Sequence, residues 1–222
     1  PICSLTAPDL QSCTREALVS FLMESGAWPM LRQRPFDVLA EAGVVPRDIF
    51  ISTFDTAPLA PDLNFVVAGK GALFQKGLDV LAKLTSGAVH LGLDARNSTA
   101  PSAVFTEAAG VQKHWFSGKH PAGNVGVQIH HIKPINANEK IWTVNVQDVI
   151  SIGALFVENR FNAARVVALT GAELQAPKYV QTFIGANIGE LVAGNQKQGN
   201  IRLISGDVLS GIKKSPSQFL NF

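Results

Sequence analysis

Residues 141–158, which read IWTVNVQDVISIGALFVE, decide the fold. The apolar run at 141–146 predicts a buried strand. Residues 147–158 predict a helix, and because that helix is apolar nearly all round, it should lie inside the domain rather than on its surface. The stretch therefore predicts a buried strand–helix unit, which leads directly into a β-rich region.

A compact β-rich module follows from about residue 162. The pattern predicts strands at 165–170 and 179–183, then a short helix at 187–193 and a returning strand at 201–205. A hairpin followed by a short helix and a returning strand is a β-grasp arrangement.

The first half of the chain predicts a crossover unit. Residues 48–54 and 88–93 are typical of buried strands, and the helix expected between them, at 70–84, repeats its apolar residues at helical spacing. Strand, helix and strand joined by short loops favour a largely parallel sheet. An earlier helix should begin at Ser12 or Thr14 and stop at Gly26. Further extended segments are expected at 65–67, 102–106 and 125–132.

The composition describes a globular protein. Hydrophobic residues make up 46% of the chain and charged residues 16%, which argues against disorder. The net charge of +2 comes with scattered basic residues and no basic face, so nucleic acid is not an expected partner. The longest apolar stretch, 149–157, is far shorter than the roughly 20 residues that span a bilayer. No signal peptide opens the chain, and because it begins at Pro1 we expect it to be part of a longer protein.

Neither the cysteines nor the histidines predict a metal centre. Cys3 and Cys13 cannot supply the four thiolates of an iron–sulfur cluster, and they lack a zinc-type spacing. Four of the five histidines lie between His114 and His131. His130 and His131 are adjacent in an expected strand and should point to opposite faces, so they cannot hold one ion together.

Two loops are candidate binding surfaces. The first, at 115–124, combines adjacent aromatic residues with Gly and Pro, which position backbone N–H groups beside a flat apolar surface. The second, at 27–36, carries two arginines between aromatic residues, and these residue types are enriched where partners bind. The alternative for both loops is structural, with the aromatic side chains packed in the core. The candidate contact residues are Trp28, Arg32, Arg34, Phe36, Trp115, Phe116, His120 and Asn124.

Three motifs carry a family resemblance: RQRPF at 32–36, GKHPAG at 118–123 and LTGA at 169–172. Together with the strand–helix unit and the β-grasp module, they make the chain resemble the NqrA family of Na+-translocating NADH:quinone reductases. That family is related to the C subunit of Rnf-type complexes and to the flavoprotein subunit of respiratory complex I. The resemblance implies an α/β fold, with a Rossmann-like, flavin-site-type domain at 1–160 and a β-grasp domain of the SLBB (soluble-ligand-binding) type at 161–222.

The positions that bind flavin in those relatives differ in this chain. The relatives' Asn and acidic residue are replaced by Ser52 or Thr53 and by Ala57, while Pro58 is kept. Their Pro-x-Gly-x-Glu-Lys-Gln loop is similar to HPAGNVG at 120–126, which lacks the Glu, Lys and Gln. By resemblance, the scaffold is retained and the flavin contacts are lost, so no catalytic, cofactor-binding or metal-binding residue is expected.

The resemblance also implies a place in a membrane respiratory complex that oxidises NADH, reduces ubiquinone and pumps Na+ out of the cell. The chain would be a peripheral subunit on the cytoplasmic side of the bacterial inner (plasma) membrane, docked against other subunits, including integral membrane subunits. The whole complex uses NADH, FAD, FMN, a 2Fe-2S centre and ubiquinone, whereas this chain is expected to bind no cofactor. Its expected role is assembly, with the eight candidate residues as contacts for quinone or partner subunits. Two alternatives stay open: a catalytic subunit that binds flavin or NADH, and a pure protein-interaction module.

Overall fold

The computed structural model of the chain describes residues 5–96 and 100–220. These residues form two compact units. The first unit comprises 5–55 and 62–162 within the described ranges, and the second comprises 56–61 and 163–220. Each unit has its own secondary structure and is described separately below.

A six-stranded sheet forms the centre of the first unit. Its strands are β1 (Arg32–Arg34), β2 (Val38–Leu39), β3 (Ile49–Ser52), β4 (Val89–Asp94), β5 (Gln112–Phe116) and β6 (Ile141–Thr143). Strands β6, β3, β4 and β5 are neighbours in that order and run parallel. Strands β1 and β2 continue the sheet antiparallel beyond β6. The largely parallel sheet that the sequence predicts is confirmed.

Helices surround this sheet, and side chains cap several of their N-termini. They are α1 (Arg15–Glu24), α2 (Leu63–Val66), α3 (Gly71–Ala82), α4 (Ala103–Thr106), α5 (Val125–Ile132) and α6 (Val146–Glu158). At the start of α1 the Thr14 hydroxyl accepts a hydrogen bond from Ala17 N at 3.2 Å, which satisfies one of the free N–H groups of the first turn. Just past its end, Gly26 adopts a φ of +78°, so the predicted start and stop of this helix are confirmed. No helix in the described ranges is long and apolar enough to cross a membrane.

Helices α3 and α6 cross with their backbones in close contact. A Cβ atom on Gly77 would lie 2.1 Å from the carbonyl oxygen of Val149, and a Cβ atom on Gly153 would lie 1.9 Å from that of Leu73. Because no side chain fits at either position, the crossing requires glycine on both helices. Helix α6 is buried along most of its length, as its sequence predicts.

The strands predicted at 102–106 and 125–132 are wrong, because these segments form helices α4 and α5. The β-branched residues of 125–132 suit a strand. However, Asn124 caps the segment by accepting a hydrogen bond from Gly126 N at 2.9 Å, which starts a helix. Tertiary packing then favours the helix, since Ile129 packs against the buried face of the sheet.

Two further local predictions also differ from the structure. The extended piece expected at 65–67 instead continues helix α2, which Asp62 caps through Asn64 N at 2.9 Å. The loop expected at 27–36 contains a 3-10 turn at Trp28–Met30 and strand β1. Both segments are short, and short elements give little periodic pattern from which they could be predicted.

The second unit consists of two antiparallel strand pairs and a short helix. Its elements are β7 (Ala164–Leu169), β8 (Lys178–Phe183), α7 (Ile188–Val192), β9 (Leu203–Ser205) and β10 (Ile212–Lys214). Strand β7 pairs with β8, and β9 pairs with β10. The sequence predicts the first four of these elements in the observed order and does not predict β10. The predicted fold class, an α/β domain followed by a small β-grasp module, is confirmed.

Candidate functional site

The carboxyl ends of strands β3, β4 and β5 form one edge of the sheet. In open α/β sheets this edge is where ligands bind, because the loops that follow parallel strands converge there. Ser52, Asp94 and Phe116 are the last residues of these three strands. Most of the first candidate loop follows β5 at the same edge, so this edge is the place to look for a site.

A buried glutamine links the edge to the loop after β5. Gln128 on α5 is 1% exposed, and its Nε2 donates to Ser52 Oγ at 2.9 Å and to the carbonyl oxygen of Ala122 at 3.2 Å. The Ser52 hydroxyl lies within donating distance of the carbonyl oxygens of Phe54, at 2.8 Å, and Gly123, at 2.9 Å. These polar groups are thus satisfied by the protein itself rather than held ready for a ligand.

The loop itself is closely tied by its own backbone. Ala122 N donates to the carbonyl oxygen of Lys119 at 2.9 Å, and Asn124 N donates to that of Pro121 at 2.8 Å. The Asn124 side chain is used as the cap of α5. The expectation that this loop begins at Trp115 is wrong, because Trp115 and the residue after it end strand β5.

An arginine covers the end of β4. Arg96 binds Asp94 through two hydrogen bonds, at 2.9 Å from Nε and 2.7 Å from Nη2, and lies 5.2 Å from the centre of the Phe54 ring. Burial alone would raise the pKa of Asp94, but the hydrogen bonds from Arg96 hold it below its usual value. The pair is therefore ionised at neutral pH and fixes the Arg96 side chain over the ring.

The candidates from the first loop lie at or near this edge. Trp115 is 57% exposed, and Phe116 is half-buried. His120 and Asn124 are exposed. The structure thus gathers these four residues along one strand end and its following loop.

The candidates from the second loop lie elsewhere on the sheet. Trp28 is 5% exposed, its indole Nε1 donates to Ala40 O at 2.8 Å, and its ring packs edge-on against Trp142, so its side chain belongs to the core. Phe36 is 77% exposed between β1 and β2. Arg32 and Arg34 lie 3.8 Å and 3.5 Å from Asp37 through their Nε atoms.

The structure does not bring the two groups of candidates together. Strands β6, β3 and β4 lie between β1 and β5. At about 4.8 Å between neighbouring strands, the two groups are roughly 19 Å apart across the sheet. They are two separate surfaces of the first unit.

A buried polar cluster that the sequence analysis missed surrounds Asp48, just before β3. The Asp48 carboxylate accepts hydrogen bonds from Ala88 N at 3.1 Å, from Lys133 Nζ at 2.8 Å and from Arg47 Nε at 2.8 Å. Burial alone would raise the pKa of Asp48, but these hydrogen bonds lower it to about 2. An Asp at the start of a fully apolar strand is the sequence signal that could have pointed to it.

Two histidines extend this cluster. His90 stacks on Phe50 with 4.4 Å between ring centres, lies 3.4 Å from Asp48 Oδ1, and shares a hydrogen bond with His114 between Nδ1 and Nε2 at 3.0 Å. Desolvation lowers the pKa of both histidines, and for His90 it outweighs the opposite effect of Asp48. Neither imidazole hydrogen-bonds to a hydroxyl or a thiol within the described ranges, so the cluster holds no nucleophile for a catalytic triad.

The residues at the edge do not fit a bound flavin or an iron–sulfur cluster. The side chains of Ser52 and Gln128 point their polar atoms into the protein, as their hydrogen bonds show. Cys13 is a free cysteine, and a cluster needs four thiolates. Within residues 5–96 and 100–220, no group of three His, Cys, Asp or Glu side chains is placed to hold a metal ion.

Comparison with protein families gives two matches that cover most of the chain. The family model described as the NqrA second alpha/beta domain matches residues 13–161, and the model described as the NQRA C-terminal domain, of SLBB type, matches residues 166–215.

Curated proteins with similar sequences share one name, that of the A subunit of Na(+)-translocating NADH-quinone reductase. The chain is 43% identical to that of Saccharophagus degradans over 213 residues, which is 96% of this chain and 47% of the relative. It is 42% identical to that of Alcanivorax borkumensis over 94% of this chain and 46% of the relative. For Neisseria gonorrhoeae the identity is 42% over 86% of this chain and 42% of the relative. The chain spans about half the length of these relatives.

Among solved structures, the chain is similar to a chain of an NAD+-reducing [NiFe]-hydrogenase in its H2-reduced state. The TM-score is 0.57 over 100% of this chain and 52% of that chain. The sequence identity is 11%, so this likeness concerns the fold alone.

Proposed function

The chain belongs to the NqrA family of the Na+-translocating NADH-quinone reductases, and from this premise we propose that it serves as a peripheral subunit without a cofactor of its own. In this proposal the complex oxidises NADH, reduces quinone and moves Na+ out of the cell, and the chain supports these activities by assembly. It would lie on the cytoplasmic side of the bacterial inner membrane, against integral membrane subunits.

The closed polar network at the sheet edge supports the cofactor-free part of the proposal. A flavin needs hydrogen-bond donors that face the ligand. Here the Gln128 amide donates to Ser52 and to the loop carbonyl of Ala122. Opening the edge for a flavin would break both hydrogen bonds and leave a buried amide unsatisfied, at a cost of about 1–3 kcal/mol.

Exposed apolar side chains on the second unit are the observation that carries the assembly role. Its buried apolar side chains are few, among them Leu169, Ile188 and Val192. Large apolar side chains remain open to solvent: Phe183 at 57%, Leu209 at 61%, Ile212 at 57% and Phe219 at 56%. Exposed apolar groups of this kind mark surfaces that other proteins cover. We therefore assign the second unit as a docking module for other subunits of the complex.

Two surfaces of the first unit complete the proposal. Phe36, with Arg32 and Arg34 beside it, and Trp115, with the loop after β5, are the exposed groups to which partner subunits or ubiquinone would bind. Trp28 contributes from beneath, because its buried ring supports the chain that leads into β1.

A capture experiment tests the assembly role. The tagged 222-residue chain is co-expressed with the other subunits of the Saccharophagus degradans reductase, in place of that organism's own NqrA protein. The proposal predicts that affinity capture from detergent-solubilised membranes recovers those subunits, as identified by mass spectrometry. Phe183→Asp combined with Ile212→Asp should sharply reduce the recovery, because a charge cannot be buried unpaired in an apolar interface.

Val45→Asp is the matched control for the capture experiment. Val45 lies in a loop of the first unit and is 48% exposed, so the substitution adds a charge outside the docking surface. It should leave the recovery unchanged. A folded chain that purifies alone, with none of the other subunits, would contradict the proposal.

A further inference from the structure

Strand β5 leaves one edge of the six-stranded sheet open. It is the last strand in the sheet order, with β4 on its inner side. Ala95 N donates to the carbonyl oxygen of Phe116 at 2.8 Å, so the peptide groups of Phe116 face β4. Backbone groups alternate in direction along a strand, and those of Lys113 and Trp115 therefore point outwards. No strand in the described ranges pairs with this outer edge.

The chain around this edge is uniformly basic. From residue 108 to residue 138 there is no Asp or Glu, while the segment contains three lysines and four histidines. Lys119 and His120 are exposed in the loop that follows the strand. The carboxylate at the end of β4, Asp94, is already bound by Arg96. An incoming acidic chain would thus meet positive charge along the whole edge.

One carboxylate opposes this pattern and provides a useful test. Lys113 Nζ donates to the carbonyl oxygen of Thr106 at 2.7 Å, which brings the ammonium group beside Glu107. Glu107 is exposed. It lowers the positive potential at Lys113, so removing its charge should strengthen the binding of an acidic ligand.

The side chains on the strand add a hydrophobic anchor. Lys113 and Trp115 are two residues apart, so both side chains project from the same face of β5. Trp115 is 57% exposed. Tryptophan is among the residue types most enriched where a few side chains dominate the binding energy of a protein interface.

We propose that the outer edge of β5 binds an extended, acidic polypeptide segment from another protein of the complex, which adds to the sheet as a further strand. The open N–H and C=O groups of Lys113 and Trp115 would pair with its backbone, and the basic surroundings would select its acidic side chains. This inference rests on the proposed function, since it supplies the type of partner contact made at Trp115. A second copy of the chain fits the edge less well, because two basic edges repel each other.

A model peptide tests this inference without the partner being known. The probe is a fluorescein-labelled decapeptide of alternating Glu and Val, titrated with the intact 222-residue chain and followed by fluorescence anisotropy. We expect saturable binding that weakens as salt is added. Lys113→Glu should weaken binding about tenfold or more, and Glu107→Gln should strengthen it a few-fold, which is the range of exposed charge pairs.

Lys197→Glu is the matched control for Lys113→Glu. Lys197 is also exposed and also donates through Nζ to a backbone carbonyl oxygen, that of Ala172, at 2.7 Å. It lies in the second unit, whereas β5 belongs to the first. Its reversal should leave the peptide affinity unchanged, and an equal loss with both variants would reduce the binding to overall charge and overturn the proposal.

A backbone-methylated peptide separates strand addition from simple charge attraction. The same Glu-Val sequence with N-methyl groups on alternate peptide bonds keeps every charge but cannot form a ladder. We expect it to lose binding, and equal affinity for both peptides would overturn strand addition. Binding to vesicles of equimolar phosphatidylglycerol and phosphatidylcholine, without binding to the peptide, would overturn the proposal and assign the edge to lipid. A dimer of the chain that Lys113→Glu disrupts would overturn it in favour of a second copy.

The capture experiment and the peptide experiment fail independently. If the other subunits are captured but the peptide does not bind, the β5 inference alone is wrong. If the peptide binds through Lys113 but no subunit is captured, the edge inference holds and the assignment of its partner to this complex is wrong.

Discussion

At the scale of single residues, Gly92 and Gln128 determine the shape of the sheet edge. A Cβ atom on Gly92 would lie 2.0 Å from Gln128 Oε1. The absence of a side chain on β4 therefore lets the buried amide lie flat on the strand and reach Ser52 and the loop at Ala122. One missing methyl group thus allows the network that ties helix α5 to the end of β3.

Gly92→Ala should destabilise the first unit by about 1–3 kcal/mol, because the added methyl group displaces Gln128 and leaves its amide buried without both partners. Urea unfolding followed by circular dichroism measures this change. Gly43→Ala is the control, since a Cβ atom there meets nothing within 4 Å. Equal stability of the Gly92→Ala variant and the wild type would mean that the network does not hold the edge.

The buried histidine pair makes a prediction about pH. Desolvation lowers the pKa of His90 and His114 below the usual 6.5, so below that pH the unfolded chain binds more protons than the folded chain. Stability should therefore fall as the pH drops below about 6.5, until the lowered pKa values are passed. Asp48, with a pKa of about 2 against a usual 3.8, adds its loss only in much stronger acid.

Thermal unfolding between about pH 7.5 and about pH 5 measures this dependence. His114→Gln should flatten it, since one of the two groups is then removed. His130→Gln, at an exposed position on α5, should leave it unchanged. A wild-type melting temperature that rises on acidification through this range would refute the assignment of a neutral, buried pair.

At the scale of elements, the crossing of α3 and α6 organises the first unit. Gly77 and Gly153 allow the two backbones to touch, and that contact places α6 close to the helix that links β3 with β4. The sequence predicts the buried character of α6 from its apolar residues. It does not predict which helix α6 packs against, because that depends on the crossing and not on α6 alone.

Gly153→Ala should destabilise the chain by about 1–3 kcal/mol, the range of overpacked cores, because its methyl group would meet the backbone of Leu73, which cannot move aside like a side chain. Chemical unfolding measures the loss. Gly71→Ala, at the start of α3, is the matched glycine substitution: its Cβ atom would lie 3.5 Å from Val104, an ordinary contact. The crossing would be looser than described if both variants unfolded at the same urea concentration.

Long periodic elements could be predicted from the sequence, and short or capped ones could not. Helices α1, α3 and α6 and strands β3 and β4 carry clear apolar patterns, and they appear where the patterns place them. The strand prediction at 125–132 is wrong because it weighs the β-branched residues above the Asn124 cap, although Val125, Ile129 and Ile132 also repeat at helical spacing. Strand β5 is a polar edge strand, and such strands give little apolar alternation.

The candidate site could be predicted only in part. The exposed Trp115 stands at a strand end beside its candidate loop, but Trp28 lies in the core, and a sequence gives no direct measure of burial for an isolated aromatic residue. The Ser52–Gln128 contact joins residues 76 positions apart, so no local spacing reveals it. The domain limits at 1–160 and 161–222 stay a prediction of the sequence.

At the scale of the whole molecule, family membership and site chemistry agree on a scaffold. The chain belongs to the family of a redox complex, yet the polar groups at its sheet edge hydrogen-bond to one another, and apolar side chains on the second unit stay exposed. A protein that positions other redox subunits needs surfaces for partners and no redox centre. Such a role requires the sheet edge to be closed to flavin.

The most direct test of that claim is the visible absorption spectrum of the intact chain after incubation with excess FMN and gel filtration. A flavoprotein treated in parallel shows that bound flavin survives the column. We predict a colourless protein peak, because Gln128 and Ser52 hold the edge closed. Flavin that co-elutes with the chain in stoichiometric amount would contradict the scaffold role and make the chain redox-active.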